Sequence, residues 1–244
     1  MATKKRQSAR ASKVKLRESS QRHWSYSSWS TFSTCRLKYY YQYIERRPTQ
    51  VSYAMARGTA THAKAEQFAL GRLKGGVPPE LSKFESEFKA LLKRSPRPLV
   101  EEWVRLDKDW KPLPEKAPAF FVGRLDLRIL EPKEKRYGII DHKTGRFRPT
   151  HFDQGDLYTV AAHALMPEAE SAWWEFWYLD YGEVKSDELS LRKMKTLREK
   201  WHDRGMQVVT ATTFEATPSS FGCRYCDFRS DKGGPCAKWR DQQE

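Results

Sequence analysis

Two strand-like runs, residues 119–130 and 136–143, constrain this chain more than any other feature. Both are rich in large apolar residues, and only the turn-forming Glu131-Pro132-Lys133-Glu134-Lys135 divides them. Side chains alternate along a strand, so Ile139, Asp141 and Lys143 share one face while Ile140 and His142 take the other. In the first run Asp126 falls with Val122, Arg124 and Arg128, opposite Phe121, Leu125, Leu127 and Ile129. If the two runs pair, Asp126 and Asp141 can reach one divalent ion, with Lys143 beside them.

The surrounding pattern sets the fold class. Helical spacing predicts helices over 27–44, 54–74 and 81–93, the second broken by Gly75-Gly76-Val77-Pro78-Pro79. A strand over 99–106 precedes the two runs, and a helix over 153–165, paired strands over 172–181 and 183–191 and a helix over 191–208 follow them. Helices, a strand group, a helix, strands and a helix imply an α/β layer fold with a central mixed sheet flanked by helices. The chain of 244 residues is expected to form a single domain over 23–244, preceded by a basic disordered tail over 1–22.

The charge points to a polyanionic partner. Lys and Arg number 45 against 31 Asp and Glu, a formal charge of +14. The tail carries Lys4, Lys5, Arg6, Arg10, Lys13, Lys15, Arg17 and Arg22 against Glu18 alone. It reads as an electrostatic arm, as a solvated leader, or, from its shortage of acids, as an organellar targeting peptide. The sequence has no run of 18 apolar residues, no signal-peptide hydrophobic region and no GxxxxGK[ST] phosphate loop. The expectation is therefore a cytoplasmic protein with no membrane association and no ATP motor of its own.

The chemistry of Asp126, Asp141 and Lys143 admits two readings. Hard Mg²⁺ or Mn²⁺ takes oxygen ligands and keeps positions open for water and a phosphate oxygen. Lys143 would then orient or deprotonate the attacking water while the metal offsets charge developing on the phosphorane. The same residues also describe an Asp–Lys ion pair on a solvated strand face. The helix over 54–74 favours the first reading, because Gly58, His62 and Glu66 recur every four residues and line one helical face. Glycine there allows close backbone approach, and His62 presents a nitrogen donor.

Taken together these pieces resemble the RecB-like branch of the PD-(D/E)XK nuclease superfamily, the branch of the AddB nuclease domain and the CRISPR adaptation nucleases. They follow that family's order: Ser27-Ser28-Trp29-Ser30-Thr31-Phe32-Ser33-Thr34-Cys35-Arg36-Leu37-Lys38-Tyr39-Tyr40-Tyr41, Gly58-x3-His62-x3-Glu66, Gly123-Arg124-Leu125-Asp126, Asp141-His142-Lys143 and Gln154-x3-Tyr158. The resemblance implies a restriction-endonuclease-like core in which His62, Asp126, Asp141 and the backbone carbonyl of His142 ligate Mg²⁺ or Mn²⁺. It makes Lys143 the catalytic lysine, turns Gln154 and Tyr158 toward DNA or the site, and leaves Glu66 supporting the ligands or the helix. The helical histidine accompanies exonucleases that enter from a single-stranded end.

Four cysteines complete the motif set. Cys223-x2-Cys226-x9-Cys236 has metal-ligand spacing, and Cys35 would supply a fourth thiolate. Spacing alone fits zinc as well, or buried thiols. The resemblance implies a 4Fe-4S cluster that ties the chain's ends, using the cysteine segment 221–240. Closing so long a loop would restrict the unfolded chain by roughly 5 kcal/mol. The last gap is longer than the family's and contains Gly233, Gly234 and Pro235. Tyr225, Phe228, Trp239 and Tyr39 to Tyr41 could shield a cluster or form plain core.

Of the remaining aromatics, Trp173, Trp174, Phe176, Trp177 and Tyr178 fall in a strand and read as packing, whereas Trp24, Tyr26 and Trp29 are candidates for a surface that admits a strand. The functional expectation is a Mg²⁺- or Mn²⁺-dependent exonuclease acting on single-stranded DNA ends in prokaryotic or phage recombination or repair. The alternatives are a non-catalytic nucleic-acid-binding protein with a metal-stabilised fold and a nuclease subunit that works with a recombination or annealing protein.

Overall fold

The computed structural model describes residues 14–15, 23–73 and 75–238. The basic tail over 1–22 thus lies outside the described residues apart from Val14 and Lys15, as do Lys74 and Trp239. In chain order the elements are β1 (Val14–Lys15), α1 (Tyr26–Thr34), α2 (Arg36–Tyr39), α3 (Tyr53–Ala69), α4 (Glu85–Lys93), β2 (Leu99–Leu106), β3 (Phe121–Glu131), β4 (Arg136–Lys143), α5 (Thr150–His163), β5 (Ser171–Tyr178), β6 (Glu183–Ser190), α6 (Leu191–Thr210), β7 (Thr213–Phe214) and α7 (Ser220–Arg224).

The described residues form two compact units, one built from 23–26 and from those within 51–209, the other from 27–50 and 210–238 together with β1. The larger unit is an α/β fold around a five-stranded sheet of order β2-β3-β4-β5-β6. Only β4 and β5 run parallel, so the sheet is mixed and α5 makes the crossover between them. The strand alternation read from the sequence holds in β4. Ile140 packs with Leu127, Ile129 and Trp177 against Ala65, Phe68 and Phe88 of α3 and α4, while Tyr137 donates its hydroxyl to the Thr159 carbonyl of α5 at 2.6 Å.

Several helix ends depart from expectation for local reasons. Helix α3 starts under a Ser52 cap that accepts from the Met55 amide, and it ends at Ala69 because Gly71 turns to φ +68°. A 3-10 turn over Pro79–Phe84 precedes α4. Helix α5 begins at Thr150 rather than 153, since Pro149 already holds helical backbone (φ −54°). Gly155 lets α5 lie on the sheet, for a Cβ there would sit 2.5 Å from the Trp174 ring.

Trp24 does not serve a strand-admitting surface. It is fully buried, stacks on Trp201 at 6.1 Å, and its backbone bridges to Phe121, so its aromatic area belongs to the core. Tyr26 is half-buried and gives its hydroxyl to the Thr150 carbonyl. Trp173 to Tyr178 lie in β5 as expected, with Trp174, Phe176, Trp177 and Tyr178 buried.

The smaller unit contains the short antiparallel pair of β1 and β7. The helix expected over 27–44 is interrupted at Cys35, whose backbone is extended (φ −161°, ψ 114°), and ends in a π-turn over Tyr40–Ile44. Phe32, Tyr39, Tyr40 and Phe214 fill its core, with the Tyr39 and Phe214 rings stacked at 6.0 Å.

Candidate active site

The site begins where β3 and β4 part. Their ladder runs from Glu131 opposite Arg136 to Leu127 opposite Ile140 and stops there. One step further the Asp126 carboxylate replaces the ladder carbonyl, and its Oδ2 accepts from the His142 amide at 2.8 Å. The opening lies at the carboxyl ends of the parallel strands β4 and β5, the end at which open α/β sheets hold ligands.

Helix α3 closes one side of this opening. Gly58 faces the segment after β4, where a Cβ would come 3.2 Å from the Thr144 hydroxyl, and one turn later His62 Nδ1 lies 3.1 Å from Asp126 Oδ2. The buried His142 ring approaches the same oxygen with Nδ1 at 3.5 Å. Burial pushes the Asp126 carboxyl up, but the hydrogen bond from His62 and the two imidazoles outweigh it and hold the group below the usual carboxylate range. Burial likewise opposes protonation of His62, and its bond to Asp126 more than reverses this, raising its pKa. Burial instead drives His142 down to about 4, which keeps that ring neutral.

One donor atom each from His62, Asp126 and His142 lie within 4.8 Å of one another. This set fits a divalent ion: one anionic oxygen, two imidazoles, and a buried His142 Nε2 with no hydrogen-bond partner among the described residues. The resemblance gives His142 only a backbone-carbonyl role, and alternation turns its ring to the face away from Asp141 and Lys143. The parting of the strands brings Asp126 across to that face.

Asp141 and Lys143 occupy the opposite face with α5. Lys143 Nζ is 2.6 Å from Asp141 Oδ2, donates to Gln154 Oε1 at 3.0 Å, and lies 4.9 Å above the Phe176 ring. Gln154 also gives its amide to Asp141 Oδ1 at 3.3 Å, so one side chain spans the carboxylate and the amine. Burial raises the Asp141 pKa, Lys143 opposes this and the Asp126 charge adds to it, with the result above the ordinary aspartate range. Tyr158, one turn beyond Gln154, lies over the glycine of β3, where a Cβ on Gly123 would be 3.7 Å from its ring. Burial raises its pKa, so the phenol stays protonated.

Glu101 is a site residue that the sequence reading missed. It stands in β2 between Val100, opposite Leu127, and Glu102, opposite Leu125, which is the register position facing Asp126. Its φ of +54° is left-handed, a conformation that costs a non-glycine residue about 1–3 kcal/mol. The carboxylate pairs with Arg124 at 2.5 Å, and burial, aided by the charges of Asp126 and Glu66, pushes its pKa up to about 7. No local signal marks such a residue, because glutamate has no preference for this backbone. Glu66 is half-buried, one turn along α3 from His62.

In the smaller unit the four cysteines line one cavity with Lys38, Tyr41, Phe228, Arg229 and Lys238 among its other walls. Cys35 sits at the break between α1 and α2 and accepts from the Thr217 amide at 3.4 Å. The long gap before Cys236 folds back on itself through a turn at Ser230–Lys232 and Gly233 at φ +77°. Cys236 thereby exchanges backbone bonds with Phe228 and Ser230. Gly234 is required at this return, for a Cβ would lie 2.3 Å from the Phe228 carbonyl carbon. All four thiols are free of disulfides.

Residues 23–230 match the family described as the PD-(D/E)XK nuclease superfamily, and the chain belongs to that superfamily. Its five-stranded mixed sheet flanked by helices is accordingly the restriction-endonuclease-like fold, and its substrate class is nucleic acid. PD-(D/E)XK nucleases generally use divalent metals such as Mg²⁺. The chain is similar to a crystal structure of a Eubacterium rectale protein named "Putative exonuclease", at 10% identity and a TM-score of 0.48, over 91% of this chain and 88% of that one. It is also similar to SSO0001, at 17% identity and a TM-score of 0.42, over 88% and 86%. No curated protein matches the chain. Among the described residues no helix is long and apolar enough to cross a membrane.

Proposed function

We propose that this protein is a metal-dependent deoxyribonuclease that degrades single-stranded DNA from an end. The observation that carries the reading is the parting of β3 and β4, which sets His62, Asp126 and His142 on one side and the Lys143–Asp141–Gln154 network on the other. His62, Asp126 and His142 would hold the ion, with Asp141 next to them. Two imidazoles in the set favour Mn²⁺ over the harder Mg²⁺. When bound, the ion supplies Lewis-acid polarisation of the phosphate and a water of lowered pKa.

The chain's own groups do the rest. Asp126, held deprotonated by His62, brings negative charge to the metal side of the opening. Asp141 and Gln154 fix Lys143 so that its Nζ orients the attacking water and offsets charge on the scissile phosphate. Preference for DNA, for single strands and for ends is supported by the RecB-like order of the motifs, and the charge of +14 suits a polyanion. The four cysteines that line one cavity would hold a 4Fe-4S cluster, which the RecB-like order of the motifs favours, with zinc as the alternative. Lys38, Arg229 and Lys238 on its walls would balance thiolate charge. A cytoplasmic role in recombination or repair, with a recombination or annealing protein as partner, completes the reading.

The test incubates end-labelled single- and double-stranded DNA with Mg²⁺ or Mn²⁺ and wild type, Asp126→Ala or Lys143→Ala. Loss of end-dependent cleavage of single strands in both variants is expected. Equal degradation by all three proteins would overturn the site assignment.

A further inference from the structure

The loop between Lys143 and Gln154 carries an aromatic surface that the metal site does not use. Residues 145–150 are exposed, and they include Arg146, Phe147 and Arg148, with Phe152 one turn into α5. Phe147 is 36% exposed and Phe152 39%, and the two rings meet edge to face at 5.6 Å. Both rest on a buried aromatic floor, Phe152 on Trp174 at 5.0 Å and Phe147 on Tyr178 at 6.2 Å. His151 joins that floor, stacked on Tyr178 at 5.8 Å with Nδ1 2.7 Å from the Tyr178 hydroxyl. Lys185 lies 6.0 Å over the Phe147 ring.

We infer that Phe147 and Phe152, flanked by Arg146, Arg148 and Lys185, form a platform on which unpaired bases of the substrate strand stack beside the scissile phosphate. This rests on the nuclease reading above. Two exposed phenyl rings leave apolar area in water, and the cations around them exclude an acid-poor occupant such as a hydrophobic helix less well than they attract a phosphate chain. Aromatic faces with interleaved arginines match what single strands offer, π-faces at each nucleotide and a charge between them. A duplex keeps its bases inside the stack and cannot use the rings. The buried floor holds both rings in place, so little ordering accompanies binding. Position adds to the argument: Lys143 and Gln154, four residues before Phe147 and two after Phe152, border the platform at the reacting centre.

The experiment uses the full chain carrying Lys143→Ala to stop cleavage, and measures binding of a fluorescent oligothymidylate and of a duplex by anisotropy over a range of salt. In that background the pair Phe147→Leu and Phe152→Leu keeps apolar volume but removes the ring faces. It should weaken oligothymidylate binding by at least about fivefold, the lower end of base–aromatic stacking, and leave the duplex and the salt slope unchanged. Phe147→Trp with Phe152→Trp should restore it. Arg146→Ala with Arg148→Ala should weaken both ligands and flatten the salt slope. Unchanged oligothymidylate binding by the leucine pair, or equal loss for the duplex, overturns the platform. So does a changed oligomeric state with nucleic-acid binding intact, which would assign the rings to a protein partner. If the Lys143→Ala parent binds neither ligand, the nuclease reading itself has failed, and the platform with it.

Discussion

The amide of His142 donates to the carboxylate of Asp126 at 2.8 Å, at the first position where β3 and β4 no longer pair. A side chain thereby satisfies a backbone group that the sheet abandons, and the same carboxylate oxygen faces His62 and the His142 ring. Structure and chemistry share one atom. Asp126→Asn retains an acceptor for the amide and should fold with little loss, whereas Asp126→Ala leaves a buried N–H unpaired and should cost about 1–3 kcal/mol. Cleavage should fall by about a hundredfold or more in both, since both lose the charge. Urea melts beside initial rates on labelled DNA separate the two effects, and a fully active Asp126→Asn would remove Asp126 from the metal set.

Gln154 spans Lys143 and Asp141, and its value lies in orientation. Gln154→Ala should lower kcat by about tenfold with KM nearly constant, because it loosens Lys143 without removing the amine. Gln154→Glu should lose more, as it sets a second carboxylate against Asp141. Steady-state kinetics on a short oligonucleotide decide this, and a rise in KM alone would make Gln154 a DNA contact instead.

Glu101 combines a left-handed backbone with a carboxylate of raised pKa, two costs at one residue. Glu101→Gly relieves the backbone and should stabilise the fold by about 1 kcal/mol. Cleavage should nevertheless slow, because the carboxylate faces Asp126 across the sheet. A variant that is both more stable and fully active would show that Glu101 has no part in the site.

The sequence made much of this legible and left specific parts out. Alternation in β4 correctly divided Asp141 and Lys143 from His142, because side-chain period depends only on local backbone. The spacing of Gly58 and His62 puts them on one helical face for the same reason, and in the structure they approach Thr144 and Asp126. It could not show that β3 and β4 part at Asp126, that the His142 ring thereby joins His62, or that Glu101 in β2 takes a left-handed backbone. Those features arise from pairing between strands, and no residue at those positions announces them. The burial of Trp24 is hidden for a related reason: Gly205 on distant α6 leaves the space that its ring fills, since a Cβ there would lie 2.2 Å from the indole nitrogen.

Acid should remove the stabilising contribution of two neutral histidines. His142 and His151 both have pKa values lowered to about 4 by burial first; Asp126 opposes the shift at His142, and the charge of Lys143 adds to it at both. A group lowered from the usual 6.5 favours the folded state above that pH, and this contribution is lost as pH falls toward 4. For fully buried His142 the loss has an upper bound of roughly 3 kcal/mol. His62 has a raised pKa, so its contribution is complete below 6.5 and is lost only on alkalinisation; it leaves the acid window flat. Asp141 and Glu101, with raised pKa values, take up protons in the fold over the same range and oppose this loss, so the histidine contribution is read as a difference: in chelator, the stability advantage of wild type over His151→Phe should shrink between pH 6.5 and 4. A difference that stays constant with pH would mean that the His151 pKa is not lowered in the fold.

Gly234 tests the cysteine cavity without touching a thiol. Its Cα packs on the Phe228 backbone, where a Cβ would come 2.3 Å from a carbonyl carbon that cannot rotate away. Gly234→Ala must therefore push the returning strand outward and carry Cys236 from the other three sulfurs. Gly233 provides the comparison, since it has open space around it but φ +77°, so alanine there meets backbone strain of about 1 kcal/mol and no clash. After anaerobic reconstitution, Gly234→Ala should bind far less iron and sulfide than wild type, while Gly233→Ala should load normally and melt slightly lower. Iron analysis and visible absorbance read the outcome. Equal loading of Gly234→Ala would show that Cys236 is not among the ligands, and stoichiometric zinc with no iron would replace the cluster by a single ion.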